Sequence, residues 1–134
     1  MELSRLAAIP LLADLTDADL AAIALAAQEV DVEEGETIAI EGEVGHALFA
    51  IERGRAAVSA DGEPIATLGP GDVFGEIAVI ASGRRTATVV ATSPMRLIAL
   101  LKPDVWALER RSPATAERLR ALVAERRERR EDPV

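Results

Sequence analysis

Apolar and polar positions follow three different rhythms along this chain, and the changes of rhythm predict its elements. Leu15, Leu20, Ile23 and the run Leu25 to Ala27 recur at helical spacing. Thr16 stands at the head of that stripe with Asp17 and Asp19 in the first turn, a cap acceptor followed by carboxylates where a helix N-terminus favours them. A helix is expected from there to near Glu29. Between Val32 and Leu101 the glycines and prolines recur at strand-turn intervals around short β-prone segments, Ala56 to Ser59, Pro64 to Leu68 and Arg96 to Leu100. Asp61-Gly62 is a hairpin turn signal. After Lys102 the rhythm is helical again: Pro103-Asp104 opens a segment through Leu108, and Ser112-Pro113 restarts the chain with a capping serine and a first-turn proline. The helix that follows runs from Ala114 to about Arg130, with Leu119, Leu122 and Val123 as its apolar face. The expected class is mainly β with flanking helices, an antiparallel jelly-roll barrel that wraps two sheets to manage its strand edges.

Composition narrows the possibilities. At 134 residues and 49% hydrophobic, the chain has room for one domain with a real core. It divides into an N-terminal helical part at 1–31, a barrel at 32–102 and helices at 103–131. No cysteine is present and His46 is the one histidine, so disulfides, thiol nucleophiles and a cupin-type metal centre lack their ligands. No apolar run approaches membrane-spanning length, and the charged start Met1 to Arg5 soon meets Pro10, unlike a secretory leader; a cytoplasmic chain off the membrane is expected. The net charge of −8 argues against nucleic-acid binding, which needs a basic face. Arg110, Arg111, Arg118, Arg120, Arg126, Arg127, Arg129 and Arg130 crowd the tail, interleaved with acids. They read as a solvated helix laced with opposite charges, the alternative being a docking surface for an effector protein or a second copy.

The chemistry concentrates between Phe74 and Ala91. Gly75 lets the backbone approach a ligand closely, and Glu76 beside it offers two acceptor oxygens suited to a ribose hydroxyl. The apolar run Ile77 to Ala81 is too short for an independent helix, but one turn opening after Gly75 would aim N–H groups, that of Ala78 among them, at an anion. Arg85 can grip a phosphate through paired charge-assisted hydrogen bonds, with the Thr86 hydroxyl beside it. Small residues at Ala87 and Thr88 then let the chain leave as a strand without filling the cavity. A hydroxylated anion such as a sugar phosphate fits this set. Arg84 reads as surface charge, His46 as a loop side chain, Phe49 and Phe74 as core, and Trp106 as an anchor packing the penultimate helix on the barrel.

Phe74-Gly75-Glu76 joined to Arg85-Thr86-Ala87-Thr88 resembles the phosphate-binding cassette, here 74–88, of cyclic nucleotide-binding domains, the family of kinase regulatory subunits, catabolite activators and nucleotide-gated channels. Upstream, Ile9-Pro10-Leu11-Leu12, Glu34 to Ile38, Glu41 to Gly45, Ile51 to Gly54 and Leu68 to Asp72 are similar to its glycine-punctuated pattern in order, so the likeness covers nearly the whole chain. The resemblance implies a noncatalytic sensor that binds cyclic AMP, the commoner ligand of that family, or cyclic GMP, with no cofactor and no metal, and couples binding to movement of the C-terminal helices. It implies Gly75, Glu76, Ile77, Ala78, Arg85, Thr86 and Ala87 as the binding residues, with Ile77 and Ala87 on the purine side. Leu122, Val123 or Arg126 would cap the base, since no aromatic residue follows Trp106. Thr86 permits either nucleotide. The rival reading is a degenerate domain of the same fold, with Glu76 and Arg85 as a structural ion pair, that dimerises or docks without ligand. A transcription-factor role would need a helix-turn-helix after the long helix.

Overall fold

The computed structural model describes residues 1–131, without the side chains of residue 82 and residues 128–131, so the charge pattern expected at Arg129 and Arg130 lies outside the described residues. The chain opens with helix α1 (Leu3–Ala7), a 3-10 turn at Pro10–Leu12 and helix α2 (Asp17–Ala26). Thr16 caps α2, its Oγ1 accepting from the Asp19 N–H at 3.2 Å. The N-terminal part thus holds two helices rather than one, and α2 ends short of Glu29. Leu20 and Ile23 are buried, but Leu25 is 92% exposed and does not belong to the apolar face. The next strand explains the early stop. Strand β1 (Gln28–Val32) pairs along its whole length with β8 (Met95–Leu101), and Asp31 accepts from Arg96 Nε at 3.1 Å.

Six further strands lie between them: β2 (Thr37–Ala39), β3 (Ala47–Arg53), β4 (Ala56–Ala60), β5 (Glu63–Leu68), β6 (Val73–Phe74) and β7 (Thr88–Ala91). They form two antiparallel four-stranded sheets, ordered β1-β8-β3-β6 and β2-β7-β4-β5. The barrel is therefore not closed; the sheets face each other as a jelly-roll sandwich. Asp61 and Gly62 join β4 to β5 with φ of 53° and 79°, the double left-handed geometry that a two-residue hairpin demands.

Two apolar clusters hold this arrangement. Val32, Ile51, Phe74, Met95 and Leu97 of the first sheet meet Ala39, Ala56, Val58, Leu68, Val89 and Ala91 of the second in the sandwich interior. On the outer face of the first sheet, Leu48, Ala50, Ile98 and Leu100 pack under Leu6, Ile9, Leu12, Leu20 and Ile23 and under residues of the C-terminal helices. Strands β3 and β8 are buried on both faces, which is why each reads as a nearly unbroken apolar run.

Helix α3 (Lys102–Arg111) continues directly from β8, and α4 (Pro113–Glu131) follows a single-residue break at Ser112. The Ser112 hydroxyl accepts from the Thr115 N–H at 3.2 Å and donates to Thr115 Oγ1 at 2.9 Å, both buried. Among the described residues of α4 the buried apolar positions are Ala116, Leu119 and Val123, one face at helical spacing. Arg118 fastens the same helix to the N-terminal segment, donating to the Pro10 carbonyl at 2.7 Å and pairing with Asp14 at 2.7 Å. Among the described residues no helix is long and apolar enough to cross a membrane.

Candidate functional site

The segment between β6 and β7 leaves the sandwich and builds a cavity against the inner side of the second sheet. Gly75 starts it with φ +87°, and a side chain there would run into the Arg85 guanidinium and lie 2.8 Å from the Ala47 carbonyl oxygen, so both conformation and space require glycine. Glu76 and Ile77 then enter a helical turn that widens to π geometry over Ala78–Ser82, with the Val79 N–H donating back to the Gly75 carbonyl at 3.3 Å.

The seven residues named from the sequence, Gly75, Glu76, Ile77, Ala78, Arg85, Thr86 and Ala87, all line one cavity of about 460 Å³, a size typical of small-molecule sites. Ala39, Val58, Ile65, Ala66, Leu68 and Val89 make its other wall apolar. The cavity thus has a hydrophobic side on the second sheet and a polar end carrying Glu76, Arg85, Thr86 and Arg126.

The two charged cassette residues are held differently. Arg85 is half-buried; its Nη1 donates to the Ala47 carbonyl at 2.9 Å, and its guanidinium carbon lies 5.5 Å from the centre of the Phe49 ring. Phe49 in turn stacks on Phe74 with centroids 5.1 Å apart. Burial pushes the Arg85 guanidinium down from its ordinary range, and the charge of Glu76 opposes that shift. An anion is the partner such a desolvated cation calls for. Glu76 is only 1% exposed, and both its oxygens accept from Arg126 Nη1 of α4, at 2.7 and 2.8 Å. Glu76 and Arg85 therefore do not pair with each other; Glu76 is the carboxylate of a bridge to α4.

Sequence reading named Arg126 among three residues that would cap a base, and the structure separates the three. Leu122 packs against the helical cluster and Val123 is buried; only Arg126 lines the cavity, where it meets the carboxylate. Trp106 likewise differs from expectation. The residue is 45% exposed, and its Nε1 donates to the Val79 carbonyl at 3.3 Å, so it anchors α3 to the cassette turn rather than to a sheet. His46 is an exposed loop residue, as read.

One supporting loop went unrecognised as part of the site. Between β2 and β3, the Gly42 N–H donates to the Arg85 carbonyl at 2.9 Å, the Arg85 N–H to the Glu43 carbonyl at 2.7 Å, and the Gly45 N–H to the Gly83 carbonyl at 3.0 Å. Arg84, exposed as expected, donates to the Gly42 carbonyl at 2.9 Å. A Cβ on Gly45 would sit 2.5 Å from the Ala78 Cβ and 2.8 Å from Arg85 Nε, so this glycine leaves room for both the cassette turn and the guanidinium. The paired glycines in Glu41 to Gly45 were the available signal.

Comparisons with known proteins agree with this geometry. The profile described as cyclic nucleotide-binding domain matches residues 29–112. The chain is 39% identical over 121 residues to a cyclic nucleotide-gated potassium channel of Rhizobium etli, covering 90% of this chain and 34% of that one. It is 37% identical over 98 residues to a cyclic AMP receptor protein of Thermus thermophilus, covering 69% of this chain and 45% of that protein. The crystal structure of the Thermus thermophilus catabolite activator protein superimposes with a TM-score of 0.76 at 33% identity, over 87% of this chain and 57% of that one. The chain thus spans less than half the length of either curated relative. With the family profile matching most of the chain, and a relative 39% identical over 90% of it, the chain belongs to the cyclic nucleotide-binding domain family.

Proposed function

We propose that this chain is a noncatalytic sensor that binds cyclic AMP in the cassette cavity and passes the bound state to its C-terminal helices. The observation that carries the reading is the pairing of a desolvated Arg85 with an apolar wall across one cavity of about 460 Å³. Arg85, with the N–H of Ala78 and the Thr86 hydroxyl, would take the cyclic phosphate, the Glu76 carboxylate and the backbone at Gly75 a ribose hydroxyl, and Ile77 and Ala87 the purine side. The sheet wall of Ala39, Val58, Ile65, Ala66, Leu68 and Val89 offers side chains without hydrogen-bonding groups, which suits a flat base held by burial. The similarity to a protein named for cyclic AMP supports cyclic AMP as the first ligand, with cyclic GMP served through Thr86 as the second. Helices α3 and α4 both touch the cassette, through Trp106 and Arg126, and provide a route for coupling.

The ligand-independent interaction module draws on one observation, that Glu76 already holds Arg126. Calorimetry with cyclic AMP and cyclic GMP, on protein freed of carried-over nucleotide by unfolding and refolding, separates the two. Binding tighter than about millimolar, about −4 kcal/mol, supports the sensor. No heat from either nucleotide at that concentration refutes it.

A further inference from the structure

Strand β5 breaks its regular pairing where it borders the cavity. Val58 of β4 stands opposite Ala66 and Ser59 stands opposite Pro64, so Ile65 is left out of the register. One extra residue of this kind is a β-bulge, which bends the strand and re-aims a side chain. On a regular strand neighbouring residues point to opposite faces, yet Ile65 and Ala66 both line the cavity. Because β5 is the edge strand of its sheet, the proline beside the bulge removes no bond from a central ladder.

The bulge leaves a large apolar side chain where solvent still reaches it. Ile65 is 48% exposed, whereas Val58, Leu68 and Val89 of the same wall are buried. An isoleucine in that position gains from whatever covers it.

Its place in the sheet decides which part of a ligand does so. The chain passes from Arg85 into β7, and two cross-strand rows run from there over β4 to β5: Thr88, Ser59 and Pro64 in one, Val89, Val58 and Ala66 in the other. Ile65 lies between those rows, two strand spacings or about 10 Å from β7. A ligand gripped at Arg85 and laid along the wall covers β4 first and meets β5 only with its far end. For a cyclic nucleotide held by its phosphate, the far end is the base, and the fused rings of a purine extend one ring beyond a pyrimidine.

We propose that Ile65 is a specificity-determining residue, closing the cavity mouth over the outer edge of a purine that a pyrimidine does not reach. This rests on the reading of the cavity as a cyclic nucleotide site with the phosphate at Arg85.

The test is calorimetry at several temperatures on the full chain as wild type, Ile65→Ala, Ile65→Val and Ile65→Thr, with cyclic AMP directly and with cyclic CMP by displacement of cyclic AMP. Covering the exposed half of an isoleucine corresponds to about a three- to tenfold gain in affinity. Ile65→Ala is therefore expected to weaken cyclic AMP by that factor and to leave cyclic CMP nearly unchanged, narrowing the preference for the purine. Ile65→Val should keep most of the affinity, while Ile65→Thr, nearly the same shape with a hydroxyl, should lose almost as much as alanine. The heat-capacity change on binding cyclic AMP should become less negative in Ile65→Ala and Ile65→Thr, the mark of apolar surface no longer covered. Valine and threonine keep the β-branched preference of a strand, so their comparison decides the matter if Ile65→Ala loosens β5. Unchanged cyclic AMP affinity in both Ile65→Ala and Ile65→Thr would overturn the contact, and an equal loss for cyclic CMP would overturn the discrimination. Failure of the wild type to bind cyclic AMP would instead overturn the reading of the cavity beneath the proposal.

Discussion

Replacing Arg85 by alanine should separate ligand binding from stability. The substitution deletes a charged hydrogen bond to the Ala47 carbonyl at 2.9 Å and a cation over the Phe49 ring, about 1.5–3 and 0.5–1 kcal/mol respectively. Against this stands the relief of a desolvated guanidinium, which costs several kcal/mol for a fully buried ion and less for a half-buried one. The terms oppose and are of similar size. The nucleotide-free protein is therefore expected to change by no more than about 1 kcal/mol, a Tm shift below about 5 °C for a domain of this length. Ligand response should change far more. Cyclic AMP at about a hundredfold over Kd stabilises the wild type by about 2.7 kcal/mol, or about 10 °C. With affinity at least tenfold weaker, the same concentration gives the variant about 1.4 kcal/mol or less. Thermal scans with and without nucleotide measure both numbers. A loss above about 3 kcal/mol without nucleotide would make Arg85 a structural residue, and an undiminished nucleotide shift would place the anion elsewhere.

Other residues give independent checks. Gly45→Ala puts a Cβ 2.5 Å from the Ala78 Cβ and 2.8 Å from Arg85 Nε, so it should cost about 1–3 kcal/mol of stability and weaken cyclic AMP about tenfold by displacing the cassette turn and the guanidinium; unchanged affinity in calorimetry would show that the loop braces neither. Ser112→Ala removes the hydroxyl that joins α3 to α4 at Thr115 and should cost about 1–2 kcal/mol in urea unfolding, with exchange rising first in the opening turn of α4. The hydrogen bond from Arg5 holds the Glu52 carboxyl below its ordinary value of 4.5, so its stabilising effect is present above that pH and is lost as pH falls through the lowered folded value. At this partly exposed position the effect is about 1 kcal/mol or less: Glu52→Gln should be slightly weaker than wild type near pH 7 and equal to it in strong acid, and a gap persisting in acid would rule out ionisation as its source.

Much of the fold was legible because local chemistry and tertiary demand agree. Asp61-Gly62 adopts the left-handed geometry its residue types favour, and Ser112-Pro113 marks the real joint between two helices. The cassette residues read correctly as neighbours because one short loop carries them all. The start of the sandwich was obscured because alanines after Ile23 prolong a helical pattern that β1 interrupts by pairing with β8, a partner far along the chain. Arg126 was named only as one of three candidates to cap a base; its register with Ala116, Leu119 and Val123 can be read from the sequence, but its pairing with Glu76 acquires meaning once the helix is laid against the cavity. The loop from Glu41 to Gly45 was seen as turn punctuation, since backbone hydrogen bonds to a distant segment leave no mark on side-chain type.

The indole bond to the Val79 carbonyl has a practical corollary. Trp106 is the sole tryptophan of the chain, so ultraviolet emission from the unmodified protein comes chiefly from one ring tethered to the cassette. Any rearrangement of that turn alters the polarity around a single native fluorophore, and the emission maximum becomes a label-free gauge of the site, fast enough to follow in a stopped-flow cell.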